Sequence, residues 1–113
     1  MEIKKKLMIC SAHKLNLPYE SKCNRLHGHN WMIDVCLQGK KNENDMIIDF
    51  SDVKEEVMKL DHIYLNDVIK NPTAENIVDY LIEKFKDMGI FSGVKIRVEE
   101  TPTNFAEDSW NCD

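Results

Sequence analysis

Two alternating stretches constrain this chain more than any other feature of it. From His29 to Gln38 the side chains divide by parity, with His29, Trp31, Ile33, Val35 and Leu37 on one face. Asn30, Met32, Asp34, Cys36 and Gln38 fall on the other. Val94, Ile96 and Val98 alternate in the same way with Lys95, Arg97 and Glu99. Successive side chains of a strand point to opposite faces, so each stretch predicts a half-buried strand.

The rest of the chain fits elements around these two. Ile3, Leu7, Met8, Ile9 and Cys10 among lysines predict a strand over 3–13 that ends at His13, and Pro18 to Asn24 reads as a loop. Gly39 to Asp45 is a polar turn, after which Met46 to Ile48 is expected to pair with the preceding strand as a hairpin. Asp49 or Ser51 caps a helix whose Phe50, Val53, Val57 and Leu60 form a stripe, and Asp61 to Lys70 connects it onward. Thr73 is placed as N-cap of a second helix carrying Ala74, Ile77, Val78, Leu81, Ile82 and Phe85, with Gly89 positioned to end it. A last short strand is expected over 104–110. The order is β-β-α-α-β-β, an α+β domain spanning 1–113 with an antiparallel sheet and two helices on one face. Such a sheet leaves its other face uncovered, and an oligomer is the natural way to bury it.

Charge and cysteine usage narrow the function. Fifteen Lys plus Arg against twenty Asp plus Glu give a net charge of −5, the wrong sign for a chain whose affinity comes from neutralising phosphates of nucleic acid. No apolar run approaches the roughly 18 residues of a membrane span, and the apolar stretch near Met1 is too short for a signal peptide. A cytoplasmic location is therefore expected, and Cys10, Cys23, Cys36 and Cys112 are read as thiols rather than disulfides. No C-x-x-C pair marks a structural zinc knuckle.

Three of the four histidines fall within seventeen residues. His27 and His29, at i and i+2 of a strand, share one face, and His13 at the end of a neighbouring strand offers a third imidazole. Three imidazoles without a fourth protein ligand suit Zn²⁺ with an open position, whereas an isolated H-G-H is equally compatible with two surface histidines. Cys23, four residues before His27, is a base or nucleophile if a cation lies near it, and otherwise a core thiol. Asp61-His62 is a carboxylate–imidazole pair suited to proton transfer, or a solvated turn. Glu100 continues the face of Val94, Ile96 and Val98, where a carboxylate is costly unless paired. A ring with two adjacent N–H donors, such as an aminopyrimidinone, would satisfy it; a water-exposed strand end would also explain it. These features favour metal-assisted proton abstraction or elimination on a small polar substrate over hydrolysis, since no H-E-x-x-H is present.

Six ordered motifs then resemble the 6-pyruvoyltetrahydropterin synthase superfamily, and most closely its 6-carboxytetrahydropterin synthase branch. They are Ser11-Ala12-His13, the C-x-x-x-H-G-H of residues 23–29, Met46 to Phe50 with Val53-Lys54, Leu60-Asp61-His62 with Leu65-Asn66, Asn71 to Asn76, and Glu99 to Pro102 with Ala106. The resemblance implies that His13, His27 and His29 hold Zn²⁺, that Cys23 is the proton-abstracting base, and that Asp61 and His62 are its acid/base companions. Glu100 would anchor a pterin ring with Thr73 and Glu75 nearby, and the substrate would be 7,8-dihydroneopterin triphosphate. Lys14, Lys22 and Arg25 are the cations nearest these motifs. The implied product is 6-carboxytetrahydropterin on the route to queuosine, with acetaldehyde and triphosphate released; the pyruvoyl-forming branch stops at triphosphate elimination. A third branch, with Glu near the cysteine position, makes a hydroxymethyl pterin, and here Glu20 lies three residues before Cys23. A non-catalytic zinc- or pterin-binding member is the remaining alternative. The implied fold is the tunnelling fold, in which three subunits close a barrel and two rings stack into a homo-hexamer with sites at subunit interfaces. The tail departs from the family: two residues after Ala106, where Tyr is usual, stands Asp108, followed by Trp110.

Overall fold

In the computed structural model, which describes residues 1–112, four strands form one antiparallel sheet in the order β1-β2-β3-β4. The strands are β1 (Glu2–His13), β2 (His27–Gln38), β3 (Gly93–Thr101) and β4 (Asn104–Asn111). Two helices, α1 (Phe50–Met58) and α2 (Ala74–Lys86), lie between β2 and β3 in sequence. Both pack on the same sheet face, α1 against β1 and α2 across β3 and β4. The β-β-α-α-β-β order and the α+β class read from the sequence are those of the molecule.

Parity does the work. Trp31, Ile33, Val35 and Leu37 of β2 and Val94, Ile96 and Val98 of β3 are all buried against α1 and α2. Ile77, Val78, Leu81, Ile82 and Phe85 meet them from α2, and Val53, Val57 and Leu60 from α1 and its exit. Burying each such side chain contributes about 1.5–3 kcal/mol before entropy is set against it. Thr73 caps α2 by accepting from the Asn76 N–H at 3.1 Å, and Gly89 follows with φ +73°. Asp49, not Ser51, caps α1; its carboxylate accepts from both the N–H and the hydroxyl of Ser51, at 2.8 and 2.7 Å. Those bonds hold the Asp49 carboxyl below its ordinary range.

Two expectations are corrected. Met46 to Ile48 is not a strand, because β2 already pairs with β1 on one edge and β3 on the other. The segment is instead a turn wound on Asn42, whose N–H reaches Met46 O at 2.7 Å and whose side chain accepts from Asn44 N–H at 2.8 Å, and it drops Ile47 into the core. Phe50, placed on the helical stripe by its spacing, sits at the first helical position and is about half exposed, 47%. The last strand expected over 104–110 is present, pairing Val98 with Ala106 and Val94 with Trp110, so Asp108 in place of an aromatic residue does not interrupt it.

The opposite sheet face is bare among the described residues. Its central row runs Lys6, Asp34, Arg97 and Glu107 across the four strands, alternating in charge. Arg97 lies 3.8 Å from Asp34 and stacks on the Phe105 ring at 3.9 Å. Among the described residues, no helix is long and apolar enough to cross a membrane.

Candidate metal centre and active site

The antiparallel register of β1 and β2 sets Ser11 opposite His29 and His13 opposite His27. Parity turns all three imidazoles to the helix-covered face at one end of the sheet. One ring nitrogen from each lies within 4.8 Å of the others. Their outer nitrogens are spoken for: His13 Nδ1 donates to the Pro72 carbonyl at 2.7 Å and His27 Nδ1 to the Arg25 carbonyl at 2.7 Å. With Nδ1 protonated, each neutral ring presents a bare lone pair at Nε2, yet the Nε2 atoms of His13 and His27 face each other at 2.8 Å. The Nε2 of His29 is buried with no hydrogen-bond partner. The inward lone pairs of His13 and His27, with a ring nitrogen of His29 beside them, fit a shared cation, and the carbonyl partners fix the tautomer that a metal requires in the first two rings.

Trp31 forms the floor of this cluster. It is fully buried, its indole stands edge-on to His13 and His29 at centroid distances of 4.9 and 5.1 Å, and its N–H donates to Ser11 O at 3.2 Å. Ser11, also buried, donates its hydroxyl to the Leu60 carbonyl, just ahead of Asp61. Burial holds the His13 imidazole below its usual pKa, against the pull of the Pro72 carbonyl. Burial does the same for His29, although Glu100 opposes it.

Glu100 sits at the bulge of β3 and brings Oε1 to 3.7 Å from His29 Nε2, so its carboxylate lies beside the histidine cluster. Glu75, from the first turn of α2, lines a cavity of about 750 Å³ with Glu100 and the β3–β4 turn. Thr73 lies just outside that lining, with its hydroxyl oxygen on the α2 cap.

Asp61 and His62 sit beside the outer edge of β1. Asp61 Oδ1 accepts from Cys10 N–H at 2.8 Å, and Oδ2 pairs with His62 Nδ1 at 2.6 Å. The Cys10 N–H and then the His62 ring hold the Asp61 carboxyl below its ordinary range. His62 has φ +54°, a left-handed conformation costly for a residue with a Cβ, and its N–H is tied to Cys10 O at 2.7 Å. His62 and His29 line one open groove of about 560 Å³. Cys23 lies in a single 3-10 turn, Lys22–Asn24, and its carbonyl accepts from Leu15 N–H at 2.8 Å. The metal-binding geometry therefore gathers His13, His27 and His29, while the other candidate residues lie on four separate segments: Cys23 in the 3-10 turn, Asp61 and His62 beside β1, Thr73 and Glu75 at the start of α2, and Glu100 on β3. Pro72, Trp31 and Ser11 were not singled out from the sequence. Their roles depend on contacts across the fold that no local spacing encodes.

Comparison with known proteins agrees with this arrangement. The profile of the family described as 6-pyruvoyl tetrahydropterin synthase matches residues 2–109. The chain belongs to the 6-pyruvoyl tetrahydropterin synthase family. A relative from Archaeoglobus fulgidus, provisionally named a 6-carboxy-5,6,7,8-tetrahydropterin synthase, is 38% identical over 101 residues, covering 86% of this chain and 85% of its own. A Synechocystis protein named 6-carboxy-5,6,7,8-tetrahydropterin synthase is 34% identical over 108 residues, covering 85% and 83%. Among solved structures, the Caenorhabditis elegans 6-pyruvoyl tetrahydropterin synthase superposes with a TM-score of 0.72 at 25% identity, covering all of this chain and 96% of that one.

Proposed function

We propose that this member of the family is a zinc-dependent lyase. Its reaction is 7,8-dihydroneopterin triphosphate plus water giving 6-carboxy-5,6,7,8-tetrahydropterin, acetaldehyde and triphosphate. The observation that carries the reading is the convergence of one ring nitrogen from each of three imidazoles, with Glu100 3.7 Å from His29 Nε2. The names of relatives that cover most of the chain support the carboxy-forming product, and a place in queuosine synthesis in the cytoplasm is part of the same proposal.

His13, His27 and His29 would hold the metal, and an all-imidazole donor set suits zinc. Zinc so held supplies Lewis acidity toward the hydroxyls of the substrate side chain. The chain's own residues do the rest. Glu100 accepts from two ring N–H groups and fixes the heterocycle, with Glu75 and Thr73 at its border. Cys23 takes a proton from the side-chain carbon as its base. Asp61 holds His62 by Nδ1, which leaves Nε2 free to exchange a proton. Lys14, Lys22 and Arg25 flank the loop and offset the substrate's charge in a chain of net −5.

A homo-hexamer with sites at subunit interfaces belongs to the same reading. The bare sheet face and the first half of β1's outer edge, unpaired among the described residues, support it, because an exposed edge is a template for another strand.

The test is product analysis by mass spectrometry on zinc-loaded protein given 7,8-dihydroneopterin triphosphate. Carboxytetrahydropterin with acetaldehyde is expected. A pyruvoyl or hydroxymethyl product would keep the site and replace the reaction, and no product from assembled, zinc-loaded protein would leave a binding member of the fold. Cys23→Ala is expected to retain its zinc and lose turnover; unchanged turnover rejects the base.

A further inference from the structure

The geometry points to Asn66 as a positioning residue that locks the Cys23 loop to the Asp61–His62 segment, an inference that rests on the lyase reading above. Residues 61–66 run along the outer edge of β1 as a substitute strand. Asp61 Oδ1 accepts from Cys10 N–H, Cys10 O accepts from His62 N–H, and Ile63 O accepts from Ala12 N–H at 3.2 Å. At the next step the backbone of the segment turns away into a single 3-10 turn, Leu65–Asp67, anchored by the fully buried Leu65. The side-chain amide of Asn66 then continues the ladder in place of backbone. Its Oδ1 accepts from Lys14 N–H at 2.9 Å and its Nδ2 donates to Lys14 O at 2.7 Å.

That two-bond clamp falls at the point where β1 has ended and the loop to β2 begins. One residue on, Leu15 N–H donates to Cys23 O, and Leu17 N–H donates to Asn24 Oδ1 at 3.0 Å. The path from Asn66 to Cys23 is thus two hydrogen-bonded steps through Lys14 and Leu15. A primary amide is the side chain that supplies an acceptor and a donor at the spacing of a peptide group. Without it, no hydrogen bond among the described residues joins loop 14–26 to residues 61–66, whose remaining bonds are to Cys10 and Ala12 within β1, and Cys23 loses its fixed distance from the Asp61–His62 pair. A displacement on the order of 1 Å costs about 10²-fold in rate.

The experiment compares wild type, Asn66→Ala and Asn66→Asp as full-length, zinc-loaded proteins. Asp keeps the acceptor for Lys14 N–H and loses the donor to Lys14 O. Expected for Asn66→Ala are a kcat lowered about 10- to 100-fold with KM changed far less, zinc content unchanged, and amide exchange accelerated over 14–26 but not over 3–9. Alkylation of Cys23 by iodoacetamide, followed by peptide mass spectrometry, should change in rate, and Asn66→Asp should lie between the other two. If exchange and Cys23 alkylation match wild type in both variants, the clamp does not hold the loop. If the loop loosens while kcat stays within twofold, the loop's position does not set turnover; either result overturns the proposal. Should the wild type itself give no product, the lyase reading fails, while exchange and alkylation still decide whether Asn66 fixes Cys23.

Discussion

The two halves of β1 treat their outer edge differently. In the second half, the outward N–H groups of Cys10, Ala12 and Lys14 each have a partner in residues 61–66. In the first half the same parity turns the N–H groups of Lys4, Lys6 and Met8 outward, where no described residue meets them. One strand thus has a saturated edge beside the histidine cluster and a bare edge at the lysine-rich end. Backbone groups left unpaired have a cost unless water or another chain serves them, so the halves are fitted to different tasks. The saturated half fixes side chains within one chain; the bare half is available to the next.

The largest effect is expected at the saturated end. His13→Ala removes one of three inward nitrogens, from a side chain only 1% exposed, and strips the Pro72 carbonyl of its donor. Metal content after dialysis, read by atomic absorption, should fall to baseline, and turnover should vanish with it; retained stoichiometric metal would remove His13 from the ligand set. Next comes the bare half. Lys6→Pro deletes an outward N–H that the chain itself does not use, so the strand survives as an edge strand does with proline. Far-UV circular dichroism should be preserved while light scattering reports a fall from the proposed hexamer to smaller species. An unchanged assembly would mean that this edge is not where subunits meet.

A smaller effect sharpens the comparison by pH. The folded Asp61 carboxyl titrates below its unfolded value because Cys10 N–H and His62 favour the charged form. As pH falls below about 4 the unfolded chain takes up a proton that the folded chain refuses, so this contribution is full above that range and lost beneath it. Asp61→Asn keeps an acceptor for Cys10 N–H without the charge. Its urea midpoint should fall less than that of wild type between pH 5 and pH 3, and parallel curves would show that the ladder draws nothing from this carboxylate.

Much of the site was legible because it follows from short-range rules. His27 and His29 share a face by strand parity, and His13 joins them once β1 pairs antiparallel with β2. Thr73 and Gly89 mark the limits of α2 by capping and backbone preference alone. Glu100 was legible as an anomaly, a carboxylate continuing an apolar face, and His29 is what it meets. What escaped was non-local. Met46 to Ile48 carries a strand-like composition, but the edge it would need is occupied by β3, more than forty residues on. Phe50 has the right spacing for the α1 stripe and still faces water.

The sequence by itself determined the alternating faces, the order of elements and the identity of the three imidazoles, because side-chain direction along a strand or helix is a property of local backbone geometry. Only the tertiary structure decided which nitrogen of His13 turns inward, through the Pro72 carbonyl fifty-nine positions away. It alone laid residues 61–66 along β1 and brought Asn66 to Lys14, fifty-two positions away. Hydrogen bonds between distant segments depend on where the hydrophobic faces come to rest, and that is settled by the packing of the whole core rather than by any one stretch of it.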